Sequence, residues 1–162
     1  ANDDGIKAAS IYMFSYMIMN VAIFAILLSL KVKNEYLINI SDLKGLSKSN
    51  PIVSLSISII MLSMAGIPPF IGFFGKFYVF IAAIEQELYV LSVLGVLASV
   101  ISAFYYLRII KIMYFDESKS EGIINFQISF QSKIILSLSL FVIICFIFYP
   151  SLLINISASL TI

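Results

Sequence analysis

Four long apolar stretches, separated by polar segments, set the main limit on how this 162-residue chain can fold. They cover residues 8–30, 52–84, 88–110 and 134–156. A helix needs about 20 predominantly apolar residues to cross the roughly 30 Å hydrocarbon core of a bilayer. Because 61% of the residues are hydrophobic and only 12% are charged, a soluble domain of this size would expose too much apolar surface to water. The sequence therefore predicts a single all-α integral membrane domain, 1–162, with four transmembrane helices.

The second apolar stretch is too long for one straight crossing, because residues 52–84 would form a continuous helix of about 50 Å. Gly66, Pro68 and Pro69 interrupt it. A proline inside a helix removes an amide donor and clashes with the preceding turn. Two alternatives follow: a hairpin of two short helices, or one crossing that is discontinuous at Gly66–Pro69.

The distribution of charge favours the single discontinuous crossing, since cytoplasmic-side loops carry an excess of lysine and arginine. That arrangement places the polar loops 31–49 and 108–133 on one side of the membrane, whereas a hairpin would divide their basic residues equally. The basic residues of the two loops are Lys31, Lys33, Lys44, Lys48, Arg108, Lys111, Lys119 and Lys133. The other side holds Lys7 among Asp3, Asp4, Glu85 and Glu87. We therefore expect both long loops on the inner side and both termini on the outer side.

Lys76 is the one charged residue between Lys48 and Glu85. An ammonium group inside the membrane costs several kcal/mol unless it is paired, hydrated or neutral. Its long side chain could reach the membrane surface, or it could be a group that takes up and releases a proton. Lysine suits the second role because its pKa responds readily to burial, whereas arginine stays charged.

Polar residues on the first predicted helix supply candidates for a proton path. Tyr12, Tyr16 and Asn20 recur every fourth residue and so share one face. They could hold water molecules, or they could join helices by hydrogen bonds. On the third predicted helix a stripe of mostly small residues is best explained by close helix packing. Its members are Ser92, Gly95, Ser99, Ser102 and Tyr106.

Several kinds of chemistry are excluded by what the sequence lacks. The chain has no histidine and one cysteine, Cys145, which lies in an apolar run. A disulfide, a zinc site and an iron–sulfur cluster each need more ligands than this. No glycine-rich phosphate loop is present either. We expect no metal and no bound cofactor in this chain, and no nucleic-acid partner.

The segment 62–78, LSMAGIPPFIGFFGKFY, resembles the broken-helix signature of the antiporter-like membrane subunits of respiratory complex I. Residues 8–16, AASIYMFSY, and 104–114, FYYLRIIKIMY, are similar to the flanking helices of the same family. The resemblance covers essentially the whole chain and is strongest to the subunit 2 type. In the subunit 4 type a glutamate usually stands at the position of Lys76.

This resemblance implies that Lys76 is a proton carrier, with Gly66, Pro68 and Pro69 forming the helix break. It implies a proton-translocating subunit of NADH:ubiquinone reductase without a redox centre. NADH, flavin, iron–sulfur clusters and ubiquinone are then expected in other subunits. Two alternatives stay open: a subunit of a multisubunit sodium/proton antiporter, and a structural scaffold piece of complex I.

The resemblance also implies that the chain corresponds to the last four helices of a longer subunit. The partners expected are membrane lipid and the other membrane-arm subunits, including a chain that supplies the missing N-terminal helices. The chain uses Ile, Ser, Asn and Lys often, which is typical of proteins encoded by A+T-rich genomes. We therefore expect the mitochondrial inner membrane, with the bacterial plasma membrane as the alternative.

Overall fold

The computed structural model describes residues 3–32, 35–36, 39–117 and 130–148. Most of these residues form α-helices, which we number in chain order. They are α1 (Asp3–Leu27), α2 (Leu46–Ser49), α3 (Pro51–Ala65), α4 (Ile71–Glu85), α5 (Tyr89–Phe115) and α6 (Phe130–Phe148). Between α1 and α2 lie two paired antiparallel strands, β1 (Lys31–Val32) and β2 (Glu35–Tyr36), and a 3-10 helix (Ile40–Leu43).

The second predicted crossing is discontinuous, as the sequence indicates. Helix α3 ends at Ala65 and α4 begins at Ile71, so residues 66–70 separate two helices of 15 residues each. Neither is as long as the roughly 17 to 25 residues of a full crossing. The peptide bond between Pro68 and Pro69 is cis. The break predicted at Gly66–Pro69 is thereby confirmed, and the regular elements are helical as predicted apart from the two-residue strands β1 and β2.

Among the residues that the structure describes, two helices are long and apolar enough to cross a membrane by themselves, over Asp4–Leu27 and Tyr89–Phe115. Pro51–Ala65 and Phe130–Cys145 are shorter apolar helices. The last part of the predicted fourth crossing, residues 149–156, lies outside the described residues. So do Lys33 and Lys119 of the predicted basic loops.

Helix α1 packs against α4, α6 and α3, while α5 packs along α3 and also contacts α4. Helices in a bilayer associate through close packing, because lipid tails are as apolar as their side chains. Glycine permits this closeness at two points of α4. A Cβ at Gly72 would overlap the backbone carbonyl of Ser63, and one at Gly75 would lie 3.2 Å from the Cα of Tyr12.

Candidate functional site

The site is built on the last turn of α3, where helix geometry leaves four carbonyl groups without partners in the helix. The first two of these carbonyls, those of Leu62 and Ser63, accept hydrogen bonds from backbone amides of the residues that follow α3. Gly66 adopts a left-handed φ of 84°, and its amide donates to the carbonyl of Ser63 at 3.0 Å. The amide of Ile67 donates to the carbonyl of Leu62 at 3.1 Å. This pair of bonds is the Schellman motif, in which glycine tolerates the left-handed turn at no steric cost.

The other two carbonyls are taken by the side chain of Lys76. Its Nζ donates to the carbonyl oxygen of Met64 at 3.0 Å and to that of Ala65 at 3.2 Å. Side chains on a helix lean toward its N-terminus, so Lys76 in the second turn of α4 reaches back to the break. The C-terminus of a helix carries a partial negative charge, which stabilises an ammonium group placed there. Lys76 therefore satisfies the broken end of α3 instead of extending toward the acidic end of α4 at Glu85.

The position of Gly66 matters to the lysine as well as to the turn. A Cβ built at Gly66 would lie 3.1 Å from the Cδ of Lys76 and 3.3 Å from its Nζ. Any larger residue would therefore press on the lysine while adopting an unfavourable φ. Pro68 and Pro69 are exposed, and neither has an amide hydrogen that the break would have to satisfy.

A cavity of about 400 Å³ adjoins Lys76 between α1, α4 and α5. Apart from the lysine, its polar lining consists of hydroxyl groups. These belong to Tyr12, Ser15, Tyr16, Ser99, Ser102 and Tyr106. The rings of Tyr12 and Tyr16 stack with centroids 6.0 Å apart, and Tyr106 of α5 lines the same cavity. Hydroxyl groups both donate and accept hydrogen bonds, so this lining is suited to water molecules and to the passage of a proton.

The structure brings two of the three predicted α1 residues to this cavity. Tyr12 and Tyr16 line it, but Asn20 lies in a different depression on the outer face of α1. The Asn20 amide donates to the carbonyl of Tyr16 at 2.8 Å. Each step of four residues turns about 40° around a helix, so Asn20 is rotated by about 80° from Tyr12. This rotation carries Asn20 past the edge of the part of α1 that meets the cavity.

The stripe of mostly small residues on α5, predicted to be a surface for close helix packing, has two parts. Gly95 does face the ring of Phe80 closely. Ser99, Ser102 and Tyr106 instead line the cavity. Their spacing of three and four residues places three hydroxyl groups on one helical face. That regular spacing of hydroxyl groups is the signal that could have identified them as part of the site.

Within the part of the chain that the structure describes, no group of three or more cysteine, aspartate or glutamate side chains is placed to hold a metal ion. The site thus consists of one ammonium group, two backbone carbonyls and a largely apolar cavity whose polar groups, apart from the ammonium, are hydroxyls. A discontinuous crossing with a charged side chain at its break is an arrangement of ion- and proton-transporting membrane proteins.

Comparison with protein families gives a more specific assignment. The chain belongs to the family described as NADH:quinone oxidoreductase/Mrp antiporter, TM, whose model matches residues 1–102. This match includes α1, α3, α4, the break and Lys76, together with Ser99 and Ser102.

Curated bacterial relatives are similar over much of the chain. NADH-quinone oxidoreductase subunit N of Parvibaculum lavamentivorans is 54% identical over 115 residues, which are 71% of this chain and 24% of the relative. The subunit N of Pelagibacter ubique is 45% identical over 161 residues, which are 99% of this chain and 34% of the relative. The chain thus spans about a third of these relatives or less.

A solved structure shares the fold. A chain of respiratory complex I from Thermus thermophilus, determined with bound Aureothin, superposes with a TM-score of 0.76 at 22% sequence identity. The match covers 93% of this chain and 34% of that chain. This chain therefore shares its arrangement of helices with part of that chain.

Proposed function

We propose that this chain is part of a proton-translocating membrane subunit of an NADH:quinone oxidoreductase, of the subunit 2 type. The observation that carries the proposal is the Lys76 ammonium bound to the two open carbonyls of the helix break, beside a hydroxyl-lined cavity. The names of the relatives and the family match support the same function.

In the proposed mechanism Lys76 accepts a proton from the inner side and releases it toward the outer side. The carbonyls of Met64 and Ala65 stabilise the protonated form, because they lie at the negative end of α3. A change of charge in a neighbouring subunit would weaken this stabilisation and release the proton into the cavity. There the phenol groups of Tyr12, Tyr16 and Tyr106, with water, would pass it on.

Electron transfer takes place elsewhere in the proposed assembly. NADH, flavin, iron–sulfur clusters and ubiquinone belong to other subunits, and this chain binds no cofactor of its own. Its partners are membrane lipid and the other membrane-arm subunits, one of which supplies the helices that the longer relatives have in addition.

The proposed location is an energy-transducing membrane, with both long loops on its inner side and both termini on its outer side. The composition of the sequence supports the mitochondrial inner membrane. The bacterial origin of the relatives named above supports the alternative, the bacterial plasma membrane.

The proposal is tested by replacing Lys76 in the assembled complex. Lys76→Ala is expected to lower the number of protons pumped per NADH oxidised, because no other group described at the break can carry the proton. Lys76→Arg is expected not to restore pumping, since a guanidinium keeps its proton. The measurement is proton uptake or release by membrane vesicles during NADH oxidation, normalised to the amount of complex.

Lys111→Ala is the matched control. Lys111 lies at the far end of α5, its side chain is 70% exposed, and its nearest acidic partner, Asp116, is 4.0 Å away. An ion pair this exposed contributes little, so pumping per NADH is expected to stay at the wild-type value. If Lys76→Ala also pumps at the wild-type ratio in fully assembled complex, Lys76 is not the carrier.

The family description, which includes Mrp antiporters, favours one second candidate: a subunit of a sodium/proton antiporter. The two functions differ in which proteins accompany the chain. Purification of the chain in mild detergent is expected to retain flavin and iron–sulfur proteins if it belongs to an oxidoreductase. Recovery of antiporter subunits without flavin would support the second candidate instead.

A further inference from the structure

Ser63 is the point at which three helices are joined by one hydroxyl group. It is fully buried, with 0% of its surface exposed, and lies two residues before the end of α3. Its Oγ donates a hydrogen bond to the sulfur of Met19 on α1 at 3.0 Å. The same oxygen accepts a hydrogen bond from the backbone amide of Gly72 on α4 at 3.2 Å.

The bond to Gly72 supplies what the beginning of α4 lacks. The first amides of a helix have no acceptor within the helix, and Phe70 at the N-cap position provides no side-chain cap. The hydroxyl of Ser63 therefore caps α4 from a different helix. It can approach so closely because Gly72 has no side chain and lies against the carbonyl of Ser63.

Other serines of α3 behave differently. The hydroxyl of Ser56 donates to the carbonyl of Ile52 at 2.9 Å, and that of Ser58 to the carbonyl of Ser54 at 2.8 Å. Both bonds stay within α3 and are the usual way in which a serine satisfies its hydroxyl inside a helix. Ser63 instead uses its hydroxyl for contacts with α1 and α4.

The contact between Ser63 and Gly72 is adjacent to the contact that Lys76 makes. Lys76 follows Gly72 by one helical turn, and its acceptors Met64 and Ala65 directly follow Ser63. The contact of Ser63 with Gly72 therefore lies within one helical turn of both ends of the bonds that Lys76 makes. Met19, the other partner of Ser63, lines the cavity beside Lys76.

We propose that Ser63 is a positioning residue that holds α3, α4 and α1 in the arrangement in which Lys76 reaches the open carbonyls of the break. This inference rests on the proposed function of Lys76 and adds a second residue to it. Loss of one partner of a buried hydrogen bond shifts an equilibrium by roughly tenfold, so without the hydroxyl the aligned arrangement is no longer strongly favoured.

The test compares four variants in the assembled complex: Ser63→Ala, Ser58→Ala, Lys76→Ala, and the double variant with Ser63→Ala and Lys76→Ala. Protons pumped per NADH oxidised are measured at equal complex content. Ser63→Ala is expected to show more than half of the decrease that Lys76→Ala shows. Ser58→Ala, which removes a buried hydroxyl with local bonds only, is expected to keep the wild-type ratio.

The double variant distinguishes positioning from a general structural role. If Ser63 acts through Lys76, removing both lowers the ratio no further than Lys76→Ala alone. A purely structural serine would reduce the amount of complex, lowering NADH oxidation and pumping together and leaving their ratio unchanged.

Each outcome has a separate meaning. A wild-type ratio in Ser63→Ala with a reduced ratio in Lys76→Ala overturns the role of Ser63 and leaves the proposed function standing. A further decrease in the double variant also overturns it. Wild-type ratios in both Ser63→Ala and Lys76→Ala overturn the proposed function itself. If Ser63→Ala does not assemble, Ser63→Cys replaces it in both the single and the double variant, since a thiol fills the space of the hydroxyl but is a weaker hydrogen-bond donor and acceptor.

Discussion

Helices α3 and α5 pack against each other and are both strongly apolar, yet α3 is mostly buried and α5 is mostly exposed. In α3, ten of 15 residues are buried. In α5, only Ser92 and Met113 are buried among 27 residues. The difference arises from their neighbours, because α3 also contacts α1, α4 and α6, whereas α5 lies at the edge of the bundle.

This contrast shows that an apolar sequence predicts a helix inside the membrane. It does not predict whether that helix contacts other helices or lipid. The exposed face of α5 presents large apolar side chains to its surroundings, among them Leu94, Leu97, Val100 and Phe104. Its inner face contributes hydroxyl groups to the cavity. The buried helix α3 ends at the helix break, and the more exposed helix α5 provides one wall of the cavity.

The largest difference between the helix break and α5 is expected when a glycine in each region is replaced by alanine. Gly72→Ala places a methyl group on the backbone carbonyl of Ser63, which cannot move without separating α3 from α4. We expect this variant to cost more than about 3 kcal/mol of folding free energy and to abolish accumulation of the chain in membranes. The measurement is the amount of chain recovered in the membrane fraction.

Gly95→Ala on α5 is its matched partner. There the new methyl group meets the ring edge of Phe80, a side chain that can turn aside. This variant is expected to accumulate at close to the wild-type level. Equal loss of both variants would contradict the distinction between a rigid break and an adaptable α5.

A smaller effect is expected from removing apolar volume. Ile57 of α3 is 1% exposed, and Val100 of α5 is 63% exposed. Ile57→Ala is expected to destabilise the protein by about 2 kcal/mol, the low end of the range for a buried isoleucine. Inside a membrane the substitution loses packing contacts but no transfer free energy from water. Val100→Ala is expected to change stability by less than about 0.5 kcal/mol.

Stability in this pair is measured as the denaturation midpoint of the chain in mixed detergent micelles. A midpoint for Val100→Ala as low as that for Ile57→Ala would contradict the distinction between a buried α3 and an exposed outer face of α5. That result would extend the buried region to α5.

The smallest effect is expected from two neighbouring phenol groups on α5. Tyr106 lines the cavity, whereas Tyr105 is 58% exposed and packs its ring against Phe104. Tyr106→Phe removes one hydroxyl from the proposed proton path and is expected to lower pumping per NADH by less than Lys76→Ala does, since Tyr12, Tyr16 and water remain.

Tyr105→Phe is the control for this substitution and is expected to leave both NADH oxidation and pumping unchanged. Indistinguishable pumping by the two variants, measured in vesicles at equal complex content, would exclude the Tyr106 hydroxyl from the path.

The sequence by itself determined the features that depend on local chemistry. Apolar length predicts helices that belong in a membrane, and Gly66, Pro68 and Pro69 predict the break, because backbone restrictions act between neighbouring residues. The isolated charge of Lys76 identified it as the candidate site residue. Spacing by fours brought Tyr12 and Tyr16 to one face, but it did not foresee that Asn20 turns away from the cavity.

Only the tertiary structure decided which groups meet. The bonds from Lys76 to Met64 and Ala65 join residues on two different helices, and so do those of Ser63 to Met19 and Gly72. Periodicity fixes the direction in which a side chain leaves its own helix, but not which helix lies opposite. That choice depends on how closely the backbones approach, which here rests on Gly72 and Gly75, whose contacts lie on other helices.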